Sequence, residues 1–330
     1  MKKIKKIIFL TISMIIISGC GKNSSENIIK NLTKKIEGTE SYHLEGILEI
    51  INNENTYAYD VDVAYKKENN FKVSLKNKTN NHEQIILRNI DGVYVLTPSL
   101  NKSFKFQSEW PYNNSQSYLL QNLINDIKND PEYTSEEKED GYTITTKTNY
   151  SNNKDLKKQK IYINKDKEIY QVEVLDENDK VKIKMTINKI DYNPNYNDEI
   201  FKLENNMTVS KEIDATVSKI EDIIYPMYIP QNTYLSSQDK VSKENGERII
   251  MTFTGDNPFM LIQETINQNE EGITSVNGEP YQLDNSIGIM DETSITWVDK
   301  GMEYYLVSNT LDQQELISVA NSLTTAAIQK

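Results

Sequence analysis

Cysteine, histidine and positive charge are scarce in this chain. One cysteine among 330 residues excludes an internal disulfide framework and a cysteine-rich zinc site. Two histidines rule out most imidazole-based metal sites. Lys+Arg number 37 against 49 Asp+Glu, a net charge of -12. Phosphate binding needs a basic surface, so nucleic acid is excluded as a partner. A polybasic grip on anionic lipid is excluded for the same reason. The chain has no Gly-x-Ser-x-Gly elbow, no glycine-rich phosphate loop, no His-x-x-His and no His-Glu-x-x-His. Apolar residues make up only 37%, but 20 Tyr and many Ile add strand-forming bulk, enough for a core. The length suggests about two domains.

The first twenty residues carry the most specific signal. Lys2, Lys3, Lys5 and Lys6 form a positive n-region, and Ile7–Ile17 is an apolar run of 11 residues. A bilayer span needs about 20 residues, whereas the h-region of a secretory signal is this short. Ile17-Ser18-Gly19-Cys20 follows and resembles the lipobox of bacterial lipoproteins. That resemblance implies a signal peptide over 1–19 and a diacylglyceryl lipid on Cys20, which becomes the mature N-terminus. Two acyl chains anchor stably where one binds only marginally. Removing 1–19 removes four Lys, leaving 33 basic against 49 acidic residues, or -16. Gly21-Lys22-Asn23-Ser24-Ser25 reads as a polar tether, within a 20–40 segment that also holds an N-terminal helix.

Period-2 alternation dominates 41–110. Tyr57, Tyr59, Val61, Val63 and Tyr65 share one face, while Ala58, Asp60, Asp62, Ala64 and Lys66 share the other. This predicts half-buried antiparallel strands. Asp91-Gly92 predicts a tight turn. Leu119, Leu120, Leu123, Ile124 and Ile127 predict one helix, capped by Asn114, Ser115 or Ser117 and ended by Asp130-Pro131. Strands resume through Val181–Ile187, after a turn at Asp176–Asp179. A linker is placed at 204–219. A second module over 220–330 has strands near 247–254, 259–266, 286–290, 293–299 and 302–308. It closes with a helix capped by Asp312, with Glu315 three residues on.

Residues 42–203 resemble the LolA-like superfamily of lipoprotein carriers, and most closely the sporulation and germination lipoproteins of Gram-positive spore formers. The resemblance rests on Asp91-Gly92-Val93-Tyr94-Val95-Leu96-Thr97-Pro98, on Asn101–Pro111 and on the helix after Ser117. It implies an α+β fold that is mainly antiparallel β. A curved half-barrel over 41–203 is closed by a helix, and a smaller α+β domain follows. A carrier of this kind would hold acyl chains in its concave face.

The site candidates are few. Cys20 is the lipid-attachment residue, and no catalytic, metal or cofactor residue is expected. Trp110, Pro111 and Tyr112 are the candidate rim or partner contact. His43 and His82 read as ordinary strand and turn histidines, and Asp176-Glu177-Asn178-Asp179 as a hairpin turn rather than a calcium loop. The expectation is a non-enzymatic protein, lipid-anchored on the extracytoplasmic face of the cell membrane. By resemblance it would act in sporulation or germination through a protein partner such as a peptidoglycan-modifying enzyme. The rival expectation is a tethered carrier or sensor with a hydrophobic ligand in its groove.

Overall fold

The computed structural model describes residues 20–52, 55–207, 219–244, 246–266 and 273–325, with no side-chain account for 20–25, 324 and 325. The signal segment 1–19 lies outside the described residues. The first part of the chain runs α1 (Cys20–Gly38), β1 (Ser41–Asn52), β2 (Asn55–Lys66), β3 (Asn70–Asn77), β4 (Glu83–Asn89), β5 (Gly92–Thr97), β6 (Lys102–Phe106), α2 (Leu120–Asn129), β7 (Thr134–Lys138), β8 (Gly141–Lys147), β9 (Lys158–Asn164), β10 (Ile169–Leu175), β11 (Val181–Tyr192) and α3 (Leu203–Asn206). The second part runs β12 (Ile224–Pro226), β13 (Thr233–Lys243), β14 (Gly246–Gly255), β15 (Phe259–Thr265), β16 (Ile273–Val276), β17 (Glu279–Gln282), β18 (Ile287–Met290), β19 (Ser294–Asp299), β20 (Met302–Val307), α4 (Gln313–Asn321) and β21 (Leu323–Thr325). The protein is α+β and mainly antiparallel β, as expected.

Two meanders, β1 to β6 and β7 to β11, join through the β1–β11 pair into one open sheet. Next to Glu45 and Gly46 that pairing shifts register. A Cβ on Gly46 would meet the Thr186 carbonyl oxygen at 2.3 Å, so only glycine lets the two backbones approach. A bulge at such a point bends the strand and increases its twist. Gly92 takes φ +141 in the turn expected at Asp91-Gly92, a conformation that penalises any residue with a Cβ.

The alternation of β2 reads out directly. Tyr59, Val61 and Val63 point into the main core, where the inner faces of both meanders meet α1 and α2. From α1 come Ile28, Ile29, Leu32 and Ile36; from α2 come Leu120, Leu123, Ile124 and Ile127. On the outer face Ala64, Ile85, Leu87, Tyr94 and Leu96 are covered by Phe201, just ahead of α3. The sheet is therefore apolar on part of both faces, which the segment after β11 makes tolerable.

Three local expectations differ from the structure. The polar stretch Gly21–Ser25 continues the helix that begins at Cys20 instead of forming a free tether. The first residue before α2 is Leu119 in extended conformation, with no side-chain cap. Asn114, Ser115 and Ser117 are buried, and Ser115 pairs with Asn149 instead, at 2.9 and 2.7 Å. Burying Leu119 outweighed placing a polar cap, because a cap contributes only about 1 kcal/mol and a buried Leu about 1.5–3 kcal/mol. The segment read as a linker is helical at Leu203–Asn206, and 208–218 lie outside the described residues.

The second part forms its own seven-stranded sheet, β13-β14-β15-β20-β19-β18-β17, over α4. The Asp312 carboxylate accepts from the Glu315 N–H at 2.9 Å, as the sequence predicts for this helix start. One strand leaves this sheet: β16 pairs in parallel with β6, extending the first sheet to 12 strands. Ile266, Ile287, Ile289 and Val298 enter the first core. The junction is hydrogen-bonded as well as apolar. Gln84 Nε2 donates to the Ile287 carbonyl at 3.4 Å, and the Ile287 N–H donates back to Gln84 Oε1 at 2.5 Å. The Tyr59 hydroxyl donates to the Asp284 carbonyl at 2.5 Å, and Asn52 donates to the Asp284 carboxylate at 2.8 Å. Lys102 and Glu303 pair across the same boundary at 2.8 Å.

Candidate functional site

The residues singled out around Trp110 sit at the end of an aromatic ladder. Cross-strand registers place Tyr42 opposite Tyr65 and Tyr65 opposite Phe71. Their ring centroids lie 5.1 and 4.9 Å apart. Trp110 meets Phe71 edge-on at 6.0 Å, and Tyr112 meets it at 6.2 Å. Edge-to-face pairs of this kind add about 0.5–1.5 kcal/mol to simple burial. Arg88, opposite Phe71 on β4, donates to the Trp110 carbonyl and lies 5.2 Å from the Tyr112 ring centre.

This geometry divides the expected contact. Trp110 is 1% exposed, and Pro111 is buried beside it. Neither is a rim residue. Period-2 reading stops at β6, so the sequence held no signal that the following turn folds back onto the ladder. Tyr112 remains outside at 47% exposure, its hydroxyl donating to Asn69 at 2.5 Å. Cys20 opens α1, and its side chain lies outside the described residues.

The concave face is occupied by side chains. Leu44, Val63, Val73, Ile161, Val172 and Met185 of the sheet are fully buried against α1 and α2. An open groove of about 870 Å³ lies at the sheet's end, bordered by Lys66, Ile90, Tyr196, Asp198 and Lys202. Ile90, at the tip of the β4–β5 turn, is 97% exposed.

His43 lies on β1 and His82 just ahead of β4. His43 Nε2 lies 2.7 Å from Asp62 on the neighbouring strand. Burial holds His82 below its ordinary value, against the raising effect of Glu83. Asp176 Oδ1 accepts the Asn178 and Lys180 N–H groups at 2.9 and 3.0 Å, the geometry of a turn. Among the described residues, no group of three or more His, Cys, Asp or Glu is placed to hold a metal ion.

Sequence reading missed the polar side of α2. A 3.6-residue period puts Asn122, Asp126 and Asp130 in one row, beside the apolar stripe that drew attention. Burial pushes the Asp126 carboxyl up to about 6, against the lowering effect of hydrogen bonds from Ser115 and Gln159. Burial would also raise Asp130, but N–H groups of Lys147 and Glu132 and the Thr146 hydroxyl hold it below its ordinary value. The raised Asp126 has a definite sign. Its folded value lies above the unfolded value of about 4, so stability falls as pH rises from about 4 through about 6. Asp126→Asn is expected to remove this slope and to stabilise the protein at pH 7 by about 2 kcal/mol. Urea midpoints of both proteins at pH 5 and pH 7.5 check it. An unchanged difference between the two pH values would show that Asp126 does not titrate in this window.

Comparison with known proteins places the chain. Residues 1–201 match the family described as "Sporulation protein YdcC-like". The sporulation protein YdcC of Bacillus subtilis (strain 168) is 37% identical over 333 residues, covering 98% of each chain. Among solved structures, a LolA superfamily protein from Nitrosomonas europaea overlaps 54% of this chain and 97% of its own, with TM-score 0.32 and 10% identity. A chain of the Clostridioides difficile CwlD amidase–GerS lipoprotein complex overlaps 52% of this chain and 94% of its own, with TM-score 0.28 and 18% identity. The full-length identity to YdcC and the match over 1–201 carry the assignment: this chain belongs to the YdcC-like family of sporulation proteins.

Proposed function

We propose that this sporulation protein works as a lipid-anchored binding factor on the extracytoplasmic face of a membrane, acting on the spore envelope through a protein partner and not by catalysis. The observation that carries the reading is the joining of two features in one chain. A positive n-region, an apolar run and Cys20 precede a domain related along its whole length to a sporulation protein. Helix α1 starts at Cys20 and inserts Ile28, Ile29, Leu32 and Ile36 into the core, so an anchored chain would hold its domain close to the membrane. Burial of Leu44, Val63, Val73 and Ile161 against α1 and α2 favours work at the outer surface over acyl-chain carriage. The exposed Ile90 tip beside the 870 Å³ groove offers a protein partner apolar contact.

Deletion of the gene in the source organism, followed by counts of heat-resistant or germinating spores, tests the reading. Wild type should restore the count, and a chain with Ile90→Asp should restore it less well. Release of soluble fragments from purified cortex peptidoglycan by the purified full-length protein would replace the binding role with an enzymatic one.

A further inference from the structure

Strand β13 is an open edge of the second sheet. Among the described residues β14 is its only strand neighbour, and nearly every residue along it is exposed. Its outward N–H and C=O groups meet only water, which makes such an edge a template for another extended chain. The register shift between Leu235 and Ser237 breaks the regular edge, so a second strand can follow it from Ser237 to Lys243. No proline interrupts that stretch.

Charge placement says which chain fits. Asp239, Val241 and Lys243 share one face of the strand. Asp239 has no ion-pair partner among the described residues. Lys243 and Arg248 both pair with the one buried carboxylate of Glu264, Arg248 Nε donating at 2.6 Å. Next to Glu264 on β20, Glu303 is already held by Lys102. One positive charge is therefore in excess at Lys243, and one negative charge is unmatched at Asp239. The two lie about 13 Å apart on an extended strand and cannot meet within one chain.

A second copy brings them together. In a two-fold antiparallel pair one residue faces its own copy, because opposite residues belong to the same pairing type. The longest overlaps along Ser237–Lys243 centre on Asp239, Lys240 or Val241. The first two set like charges face to face, which is destabilising. Centring on Val241 sets it against Val241, Lys240 against Ser242 and, on both sides of the axis, Asp239 against Lys243. Glu244, in the turn, then faces the uncharged Gln238. Val241 is 43% exposed, and the pairing covers it.

We propose that two copies of this chain associate antiparallel along β13 with Val241 on the two-fold axis, joining two seven-stranded sheets into one. The contact uses the same surface of both copies and closes on itself. It lies on a different sheet from the Ile90 groove, so its failure would leave the proposed function standing.

Disulfide trapping tests the pairing. The protein is the purified full-length chain in detergent, carrying Cys20→Ser so that an introduced cysteine is the only thiol. Opposite residues of an antiparallel pair have Cα atoms about 4.5–5.5 Å apart, within reach of a disulfide. Val241→Cys should form a covalent dimer on mild oxidation. Tyr234→Cys is more exposed, at 63%, but lies beyond the paired stretch. Its dimer yield should be roughly tenfold lower, because its two copies are out of disulfide reach. Asp239→Lys in the Val241→Cys chain reverses both charge contacts and should lower the yield roughly tenfold. All three positions are on the surface, so circular dichroism should show an unchanged fold. No dimer from Val241→Cys overturns the proposal. Equal yields at 241 and 234 do the same, because they would come from random collisions. A yield indifferent to Asp239→Lys also overturns it, because the copies would then meet in another register.

Discussion

Cys20→Ala is expected to reduce incorporation of a labelled fatty acid into this protein to background. Cys20 is the only cysteine, so no second thiol can take the label. Each buried methylene of an anchor contributes about 0.8 kcal/mol, and two chains together hold a protein where one binds with only about 10⁴ M⁻¹. Without them, the mature chain at -16 has no electrostatic reason to stay on an anionic surface. Mature-length Cys20→Ala protein should therefore leave the membrane pellet for the soluble fraction. Labelling and fractionation of the same cells keep the two readouts apart if the leader remains uncleaved. Persisting fatty-acid label in the variant would sink the anchor assignment.

The second large effect is on stability. Trp110→Ala is expected to cost about 3–5 kcal/mol, the usual range for removing a fully buried aromatic ring. Typical domains hold only about 5–15 kcal/mol, so the change removes much of the total. The ring fills the end of the ladder against Phe71. Its indole N–H has no acceptor among the described residues, so Trp110→Phe breaks no hydrogen bond and should cost less than Trp110→Ala, through the smaller cavity it leaves. Urea unfolding checks both variants, with circular dichroism following the whole chain and Trp297 fluorescence following the second sheet. Trp297 stacks on Tyr304 at 5.1 Å and survives the substitution as the sole tryptophan. The shared core and the β6–β16 pairing should make both signals shift together. A change below about 1 kcal/mol would show that Trp110 does not anchor the core.

Much of the first sheet was legible because its strands have one strongly apolar face. The β2 alternation, the Asp91-Gly92 turn and the Leu123–Ile127 stripe each follow from a period set by local backbone geometry. The same holds for the Asp312 cap, whose side chain bonds three residues on. Strands without such a pattern were missed. In β13 nearly every residue is exposed, on both faces, and β16 is four residues long with no alternation to read. The cap of α2 was misread because Leu119 is used by the core and Ser115 by a distant loop at Asn149.

The candidate site shows the same division. Trp110-Pro111-Tyr112 stood out by composition, but exposure is a property of what packs on a residue. Phe71, Arg88 and Asn122 come from three separate elements and bury the first two members of that tripeptide while leaving the third outside. The Asn122 bond to the Pro111 carbonyl was invisible, because nothing local relates a helix to the loop before it.

By itself, the sequence determined the α+β class, the acidic balance and the main helix and turn positions, since these depend on composition and on contacts within a few residues. Tertiary structure alone decided that Leu44, Val63 and Ile161 are buried against α1 and α2, that β16 extends the first sheet, and which of Trp110, Pro111 and Tyr112 stays exposed. Each of these depends on contacts between residues far apart in the chain, such as Asn52 and Asp284, which lie 232 positions apart. Such contacts are set by packing and buried hydrogen bonding, which leave no period in the sequence.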